Sequence, residues 1–300
     1  MEQIQAISSM DDNAFVYDSL GSTFAIGHDA KVVRIYEYLP AKSPAPTLKA
    51  TLKHTVSVTR ALLTSDLNYC LTSDKFSIYL WDIKNARMLN HMKAPELWNN
   101  SFEDMIEHLV RSGPDAFTIV SMLGRKSDIS ITAGVPGSPT ISKLDYKSLT
   151  FVVSGNGQPQ IALIGYGGLA PRLEGWQGSN KNFVLEAPPD MANAGQFDSG
   201  NIVVVSESGQ CRIETKAGEL LHDIQIPVLK SSYISLEVRG GNAIVSDGAS
   251  DWIVSEEGSL GKVAQQHNFG RTCNPLVKDI ILQVSDRTIS LLRVKSVERP

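Results

Sequence analysis

The chain has 300 residues, of which 42% are hydrophobic and 20% are charged, the composition of an ordinary globular protein with room for a sizeable core. Its formal net charge of -4 argues against a general nucleic-acid binder, because such proteins are usually basic. The first residues lack the cationic start and apolar run of a signal peptide, and no stretch reaches the roughly 18 continuous apolar residues that cross a bilayer. We therefore expect a nuclear or cytoplasmic protein with no membrane partner.

Short runs with apolar residues at alternate positions recur along the whole chain. They lie at 14–17, 31–36, 77–81, 117–121, 129–132, 149–153, 202–205, 253–254 and 280–284. Valine, isoleucine, threonine and aromatic residues are frequent in them, and turn residues recur about every eight to twelve positions. This pattern predicts an all-β protein built as a sandwich, a barrel or a propeller.

One segment, near residues 95–112, predicts a short helical insertion. Ser101 is a candidate N-cap, an apolar stripe follows it, and Gly113 with Pro114 ends the pattern. Trp98 lies at the start of this segment. If its side chain is exposed, it is a candidate contact for a partner, because tryptophan is enriched at the centres of interfaces.

A repeated unit distinguishes between the possible β architectures. Gly27 to Tyr36 and Thr72 to Trp81 both run from a turn into an alternating strand that ends in an aromatic residue, and these aromatics lie 45 positions apart. One propeller blade takes about 40–45 residues. Weaker copies follow near 206, 246 and 285. We therefore predict a seven-bladed β-propeller, with residues 1–300 as a single domain and a pair of sandwiches as the competing fold.

Ring closure requires the two ends of the chain to meet. The segment 2–7 can pair as a strand with the segment 288–294, because both alternate polar and apolar residues. Pairing of this kind removes exposed strand edges.

The second unit shows a family likeness. Lys53-His54, then Ser73, then Trp81-Asp82 resemble one full WD40 repeat, and the likeness is strongest over residues 22–91. The resemblance implies that His54, Ser73 and Trp81 belong to a buried hydrogen-bond network that locks the blade. The family's turn aspartate falls at Lys75, with Asp74 one position earlier. The resemblance further implies a non-catalytic scaffold that binds other proteins within a multi-protein or ribonucleoprotein assembly.

A basic cluster in the N-terminal units comprises Lys42, Lys49, Lys53 and Arg60. On adjacent blades these side chains would form a patch for an acidic partner or for RNA, so an RNA-contacting subunit is the first alternative function. The competing interpretation is an ordinary solvated surface.

The motif Gly165 to Ala170 matches the dinucleotide fingerprint G-x-G-x-x-A, which makes a dinucleotide-binding enzyme the second alternative. The fingerprint needs a helix after the glycines. The following segment, 171–178, contains two more glycines and favours a turn between strands. The histidines lack metal-ligand spacing, and no nucleophile elbow is present. We expect no catalytic residue, metal or cofactor.

Overall fold

The computed structural model describes residues 2–7, 15–39, 41–43, 45–98, 104–113, 115–122, 125–143, 149–153, 161–165, 172–177, 180–188, 190–197, 199–227, 234–239, 241–247, 250–263, 273–277, 280–285 and 288–293. Within these residues the chain forms seven antiparallel sheets and one short helix. No helix in this part of the chain is long and apolar enough to cross a membrane.

The first three sheets follow one another along the chain. The first contains β2 (Phe15–Leu20), β3 (Thr23–Asp29), β4 (Val32–Glu37) and β5 (Thr47–Lys53). The second contains β6 (Arg60–Leu63), β7 (Tyr69–Ser73), β8 (Ser77–Asp82) and β9 (Arg87–Lys93), and the helix α1 (Ala94–Trp98) follows it. The third contains β10 (Ile106–Arg111), β11 (Ala116–Ser121) and β12 (Arg125–Thr132), with β13 (Val135–Pro136) and β14 (Thr140–Lys143) both paired to β12.

The other four sheets repeat the four-stranded pattern. The fourth contains β15 (Leu149–Val153), β16 (Ile161–Gly165), β17 (Arg172–Gln177) and β18 (Asn180–Glu186). The fifth contains β19 (Met191–Gln196), β20 (Ile202–Ser206), β21 (Gln210–Glu214) and β22 (Leu220–Gln225). The sixth contains β23 (Ser235–Arg239), β24 (Asn242–Ser246), β25 (Asp251–Ser255) and β26 (Leu260–Val263). The seventh contains β27 (Cys273–Val277), β28 (Ile280–Ser285), β29 (Thr288–Arg293) and β1 (Glu2–Ile7).

The sheets close into a ring. The first strand of each sheet contacts the first strand of the next sheet, and β27 contacts β2. The N-terminal strand β1 pairs antiparallel with β29, so the last sheet is built from both ends of the chain. The predicted all-β propeller and the predicted pairing of residues 2–7 are therefore confirmed.

Neighbouring sheets share apolar cores because successive side chains of a strand point to opposite faces. In the second sheet, Cys70 and Trp81 pack with the first sheet, whereas Leu71 and Leu80 pack with the third. Similar clusters join the fourth sheet to the fifth and the fifth to the sixth. Burial raises the pKa of the Cys70 thiol, which therefore stays protonated and behaves as a small apolar side chain.

The predicted helical insertion near residues 95–112 is mostly wrong. The helix α1 ends at Trp98, and residues 106–111 form the strand β10. Ser101 lies outside the described residues. The apolar spacing of Ile106 and Leu109 fits a helix, but β10 pairs with β11 and buries both side chains in the core between the second and third sheets. Sheet pairing and burial outweigh the helical pattern here.

A buried ion pair connects three sheets. Arg111 of β10 donates from Nη2 to Asp18 Oδ2 of β2 at 2.6 Å and to the carbonyl of Leu63 in β6 at 2.6 Å. The amide of Leu63 donates to the same Asp18 oxygen at 2.8 Å. Both charged side chains are buried. The innermost strands of the first three sheets are thus held in register by one polar network.

We predict that Arg111→Met lowers the free energy of unfolding by about 3–5 kcal/mol, because the Asp18 carboxylate would remain buried without its cation. Urea unfolding followed by circular dichroism measures this. The control is Lys49→Met, which breaks the exposed Lys49–Glu37 pair and should cost less than about 1 kcal/mol. Equal losses in the two variants would contradict the prediction.

Candidate protein-interaction surface

Two connections lie at the same end of the second sheet. We call the surface that they form the upper face. They are the loop 54–59, which joins β5 to β6, and the turn 74–76, which joins β7 to β8. Val58 N donates to Ala30 O at 2.7 Å, and its carbonyl accepts from the Tyr17 hydroxyl at 2.9 Å. Thr59 N donates to Ser73 O at 2.7 Å. The loop is therefore held by both the first and the second sheet.

The turn 74–76 is ordered by its own aspartate. The amide of Phe76 donates to Asp74 Oδ1 at 2.6 Å, and the Tyr79 hydroxyl donates to Asp74 Oδ2 at 2.6 Å. Burial, followed by this hydrogen bond, raises the pKa of Tyr79 to about 12, so the hydroxyl stays a donor at neutral pH. Both carboxylate oxygens of Asp74 are thus occupied within the turn.

The far side of the turn is anchored as well. The carbonyl of Phe76 accepts from Ala94 N at 2.7 Å, and the carbonyl of Lys75 accepts from Ile106 N at 2.7 Å. The turn therefore stands between the loop 54–59 on one side and α1 with β10 on the other. Its backbone is fixed in place before any partner arrives.

Large apolar side chains are exposed on the upper face. Phe76 is 42% exposed and Val56 is 40% exposed. Met122, which follows β11 at the same end of the third sheet, is 48% exposed. The amide of Met122 donates to Met105 O at 3.0 Å, which ties this residue to the segment before β10. Exposed large apolar side chains that share one ordered face of a protein are typical of interaction sites.

Three exposed positive charges lie in the turn 74–76 or directly beside the loop 54–59. Lys53, Arg60 and Lys75 are exposed, and none of the three has an ion-pair partner in the described part of the chain. The nearby acid, Asp74, already accepts two hydrogen bonds. The upper face over the second sheet is therefore apolar at Phe76 and Val56 and cationic around them.

The basic residues predicted from the sequence do not form one patch. Lys53 and Arg60 lie on the upper face, where β5 ends and β6 begins. Lys49 lies within β5 and pairs with Glu37 at 3.1 Å. Lys42 lies in the connection from β4 to β5, at the opposite end of β5 from Lys53. The extended strand β5, which is about 20 Å long, separates the two ends.

The residues implied by the WD40 resemblance are partly brought together. The His54 ring packs edge-on against Trp81, with the centroids 4.8 Å apart. The Trp81 indole N–H donates to the hydroxyl of Thr72 at 2.9 Å, not to Ser73. Ser73 instead contacts Thr59, with their hydroxyls 3.0 Å apart. Thr72 shares a sheet face with Trp81, whereas Ser73, one position later, points to the other face.

Trp98 is not a surface residue, so its predicted role as a partner contact is wrong. Its side chain is 3% exposed and packs in the core between the second and third sheets with Leu97 and Ala94. The apolar side of α1 covers β9 and β12, which removes Trp98 from solvent. Phe76, Val56 and Lys75 were missed as surface residues. Their signal in the sequence was only their position in a turn or loop.

The described segment that follows the fingerprint Gly165–Ala170 is a β-strand. β16 ends at Gly165, and β17, which begins at Arg172, pairs with it antiparallel. Residues 166–171 lie outside the described part of the chain. A dinucleotide fold needs a parallel neighbour reached through a helical crossover of a dozen or more residues. The predicted dinucleotide site is therefore contradicted by the sheet pairing.

Known proteins were compared with this chain by sequence and by structure. No family model and no curated protein sequence matches it. Its structure is similar to a chain of the mitotic checkpoint complex (TM-score 0.68, 12% identity, 97% of this chain and 91% of that one). It is similar to the β-propeller domain of Myceliophteria thermophila Cps50 (Swd1), with a TM-score of 0.71, 13% identity and coverage of 98% and 99%. It is also similar to Saccharomyces cerevisiae Sqt1, with a TM-score of 0.58, 14% identity and coverage of 98% and 100%.

These similarities cover almost the whole length of each chain, and at such low identity they establish the fold. The chain has a β-propeller fold. The resemblance predicted from residues 22–91 is therefore confirmed at the level of the fold.

We predict a pH-dependent loss of stability that depends on His54. Burial lowers the pKa of His54 from 6.5 to about 4, an effect that the charge of Asp74 only partly opposes. Between pH 6.5 and about pH 4, His54 binds a proton in the unfolded chain but not in the folded chain. The free energy of unfolding therefore keeps its full value above pH 6.5 and decreases as the pH falls towards 4. The full shift corresponds to about 3 kcal/mol, and because the imidazole is partly exposed to solvent we expect His54 to contribute about 1–3 kcal/mol to the free energy of unfolding.

Chemical unfolding at pH 7 and at pH 4 measures this contribution. His54→Phe keeps an aromatic ring against Trp81 and should lose less stability on acidification than the wild type. The matched control is His91→Phe, which removes an exposed imidazole instead of a half-buried one. A His54 titration midpoint near 6.5 by nuclear magnetic resonance would show that the prediction is wrong.

Proposed function

We propose that residues 1–300 form a single propeller domain that acts as a non-catalytic scaffold for other proteins within a multi-subunit assembly in the nucleus or the cytoplasm. The observation that carries this proposal is the upper face over the second sheet. There, exposed Phe76 and Val56 stand among Lys53, Arg60 and Lys75, which have no ion-pair partner among the described residues.

The rigidity of this face supports a binding role. Phe76 is held through its amide by Asp74 and through its carbonyl by Ala94, so its position is set in the free protein. A partner that covers Phe76 has little backbone to order, and a lower ordering cost leaves more of the contact free energy for affinity. In a complex, an interface commonly has an aromatic residue buried at its centre and polar residues around it, and Phe76 would occupy such a central position.

The structural neighbours support the general part of the proposal. One of them is a chain of the mitotic checkpoint complex, and another is the propeller domain of Swd1. The first of these shows that a chain of this fold can be part of a multi-protein complex, which supports protein partners for this chain. The upper-face residues of this chain, rather than the neighbours, support the choice of docking surface.

The alternative of an RNA-contacting subunit rests on Lys53, Arg60 and Lys75 alone. Lys42 lies at the other end of β5 and Lys49 is paired with Glu37, so the predicted cluster does not form a continuous track for a phosphate backbone. If RNA binds here, its affinity should fall steeply with salt concentration.

Quantitative affinity capture of the tagged full chain tests the docking surface. The double variant Phe76→Ser with Val56→Ser should lose captured proteins by about tenfold, because the apolar centre of the interface is removed. Leu220→Ser is the matched control, since Leu220 is 48% exposed on β22, outside the upper face. If both variants capture the same proteins as the wild type, the upper face is not the docking surface.

A further inference from the structure

We infer that the upper face over the second sheet binds an acidic segment of a protein partner, with a bulky apolar side chain placed between or beside the acids. This inference rests on the proposed function and specifies the chemistry of the partner. It concerns the surface formed by the loop 54–59 and the turn 74–76.

The charge of the partner follows from the unpaired cations. Lys53, Arg60 and Lys75 are exposed without an acid at ion-pair distance in the residues that the structure describes. Asp74 is the acid of the turn, and both of its oxygens already accept hydrogen bonds from Phe76 N and the Tyr79 hydroxyl. Residues 53–60 and 74–76 together carry three cations against the single carboxylate of Asp74, so an incoming carboxylate meets a net positive charge. A basic partner would be repelled by the same three groups.

The apolar part of the partner follows from the same surface. Phe76 and Val56 expose 42% and 40% of their area, and a purely acidic segment would leave them in water. An apolar side chain of the partner would bury Phe76, an aromatic residue of the kind that contributes strongly at interface centres. The partner therefore needs both an acid and an apolar anchor.

The arrangement of the cations constrains the spacing within the partner. Lys75 is adjacent to Phe76 in the chain, whereas Lys53 and Arg60 flank the loop 54–59 on the other side. An anchor seated on Phe76 would thus have cations both beside it and across the loop. We expect acidic residues within a few positions of the anchor on either side.

A protein segment fits this surface better than a nucleic acid does. Of the four basic residues predicted from the sequence, only Lys53 and Arg60 lie on the upper face, since Lys42 lies at the opposite end of β5 and Lys49 is engaged by Glu37. A phosphate chain needs a longer track of cations and flat rings for its bases. Val56 is aliphatic and offers no stacking surface, so half of the exposed apolar pair would gain nothing from a base.

Selection from random peptides tests the inference. A library of random dodecapeptides displayed on phage is panned against the full chain, and the enriched sequences should contain Asp or Glu together with Phe, Leu, Ile or Trp. A labelled enriched peptide is then measured by fluorescence anisotropy. Phe76→Ser should weaken its binding about tenfold, and Lys75→Glu or Arg60→Glu should weaken it five- to twentyfold, by roughly the size of a lost hot-spot contact or charge pair.

The control variants carry the same charge changes elsewhere. Lys42→Glu at the far end of β5 and Lys49→Glu within β5 should leave the affinity within about twofold, because neither lies on the upper face. Thermal unfolding of every variant confirms that it folds. Raising the salt concentration should weaken binding of the acidic peptide by the wild type and have less effect on Lys75→Glu.

Three results would overturn the inference: no enriched peptide, enriched peptides without acids, or binding that Phe76→Ser and Lys75→Glu leave unchanged. If the affinity capture still depends on Phe76 and Val56, the proposed function stands and only the partner chemistry is wrong. If the capture fails too, both fail. Tighter binding of a labelled uridine dodecamer, lost in Lys75→Glu, would replace the protein segment with RNA.

Discussion

The ring depends on the contact between the innermost strands of neighbouring sheets, and the ion pair of Asp18 with Arg111 is its most exacting part. Two buried charges are costly to remove from water, so the pair is stable only when β2, β6 and β10 stand at the correct distance to complete the hydrogen bonds around Leu63. One carboxylate and one guanidinium thereby impose the geometry of three sheets. The apolar cores on either side of the second sheet add the stabilisation of buried apolar area.

The upper face depends on that geometry. The loop 54–59 spans from the first sheet to the second, and the turn 74–76 is held between this loop and the segment that enters the third sheet. A connection tied at both sides cannot collapse to cover its own apolar residues, and Phe76 and Val56 therefore remain in solvent. The hydrogen bonds of the loop and the turn to the neighbouring sheets hold these side chains in solvent, which is expected of a surface that another protein covers.

The second sheet forms only part of the hydrogen-bond network that its resemblance to a WD40 repeat implies. His54 and Trp81 meet as the resemblance implies, but the indole bonds to Thr72, and Asp74 bonds to Tyr79 and to the turn amide of Phe76. The Nε2 atom of His54 is buried and has no hydrogen-bond partner among the residues that the structure describes. The aspartate that orders the turn also presents Phe76 and Lys75 outward, so the departure from the repeat contributes to the candidate binding surface.

The sequence alone was sufficient for the all-β class, the repeat period, the pairing of the first strand with the last, and the likeness of residues 22–91 to a WD40 repeat, because alternation and turn residues are local properties. The sequence did not predict the burial of Trp98, the strand at residues 106–111 or the position of Lys42 at the opposite end of β5 from Lys53. The burial of Trp98 depends on β9 and β12, the strand at 106–111 depends on pairing with β11, and the distance of Lys42 from Lys53 depends on the direction of β5. Side-chain exposure and the grouping of charges arise from contacts between segments distant in sequence, and only the tertiary structure decides these contacts.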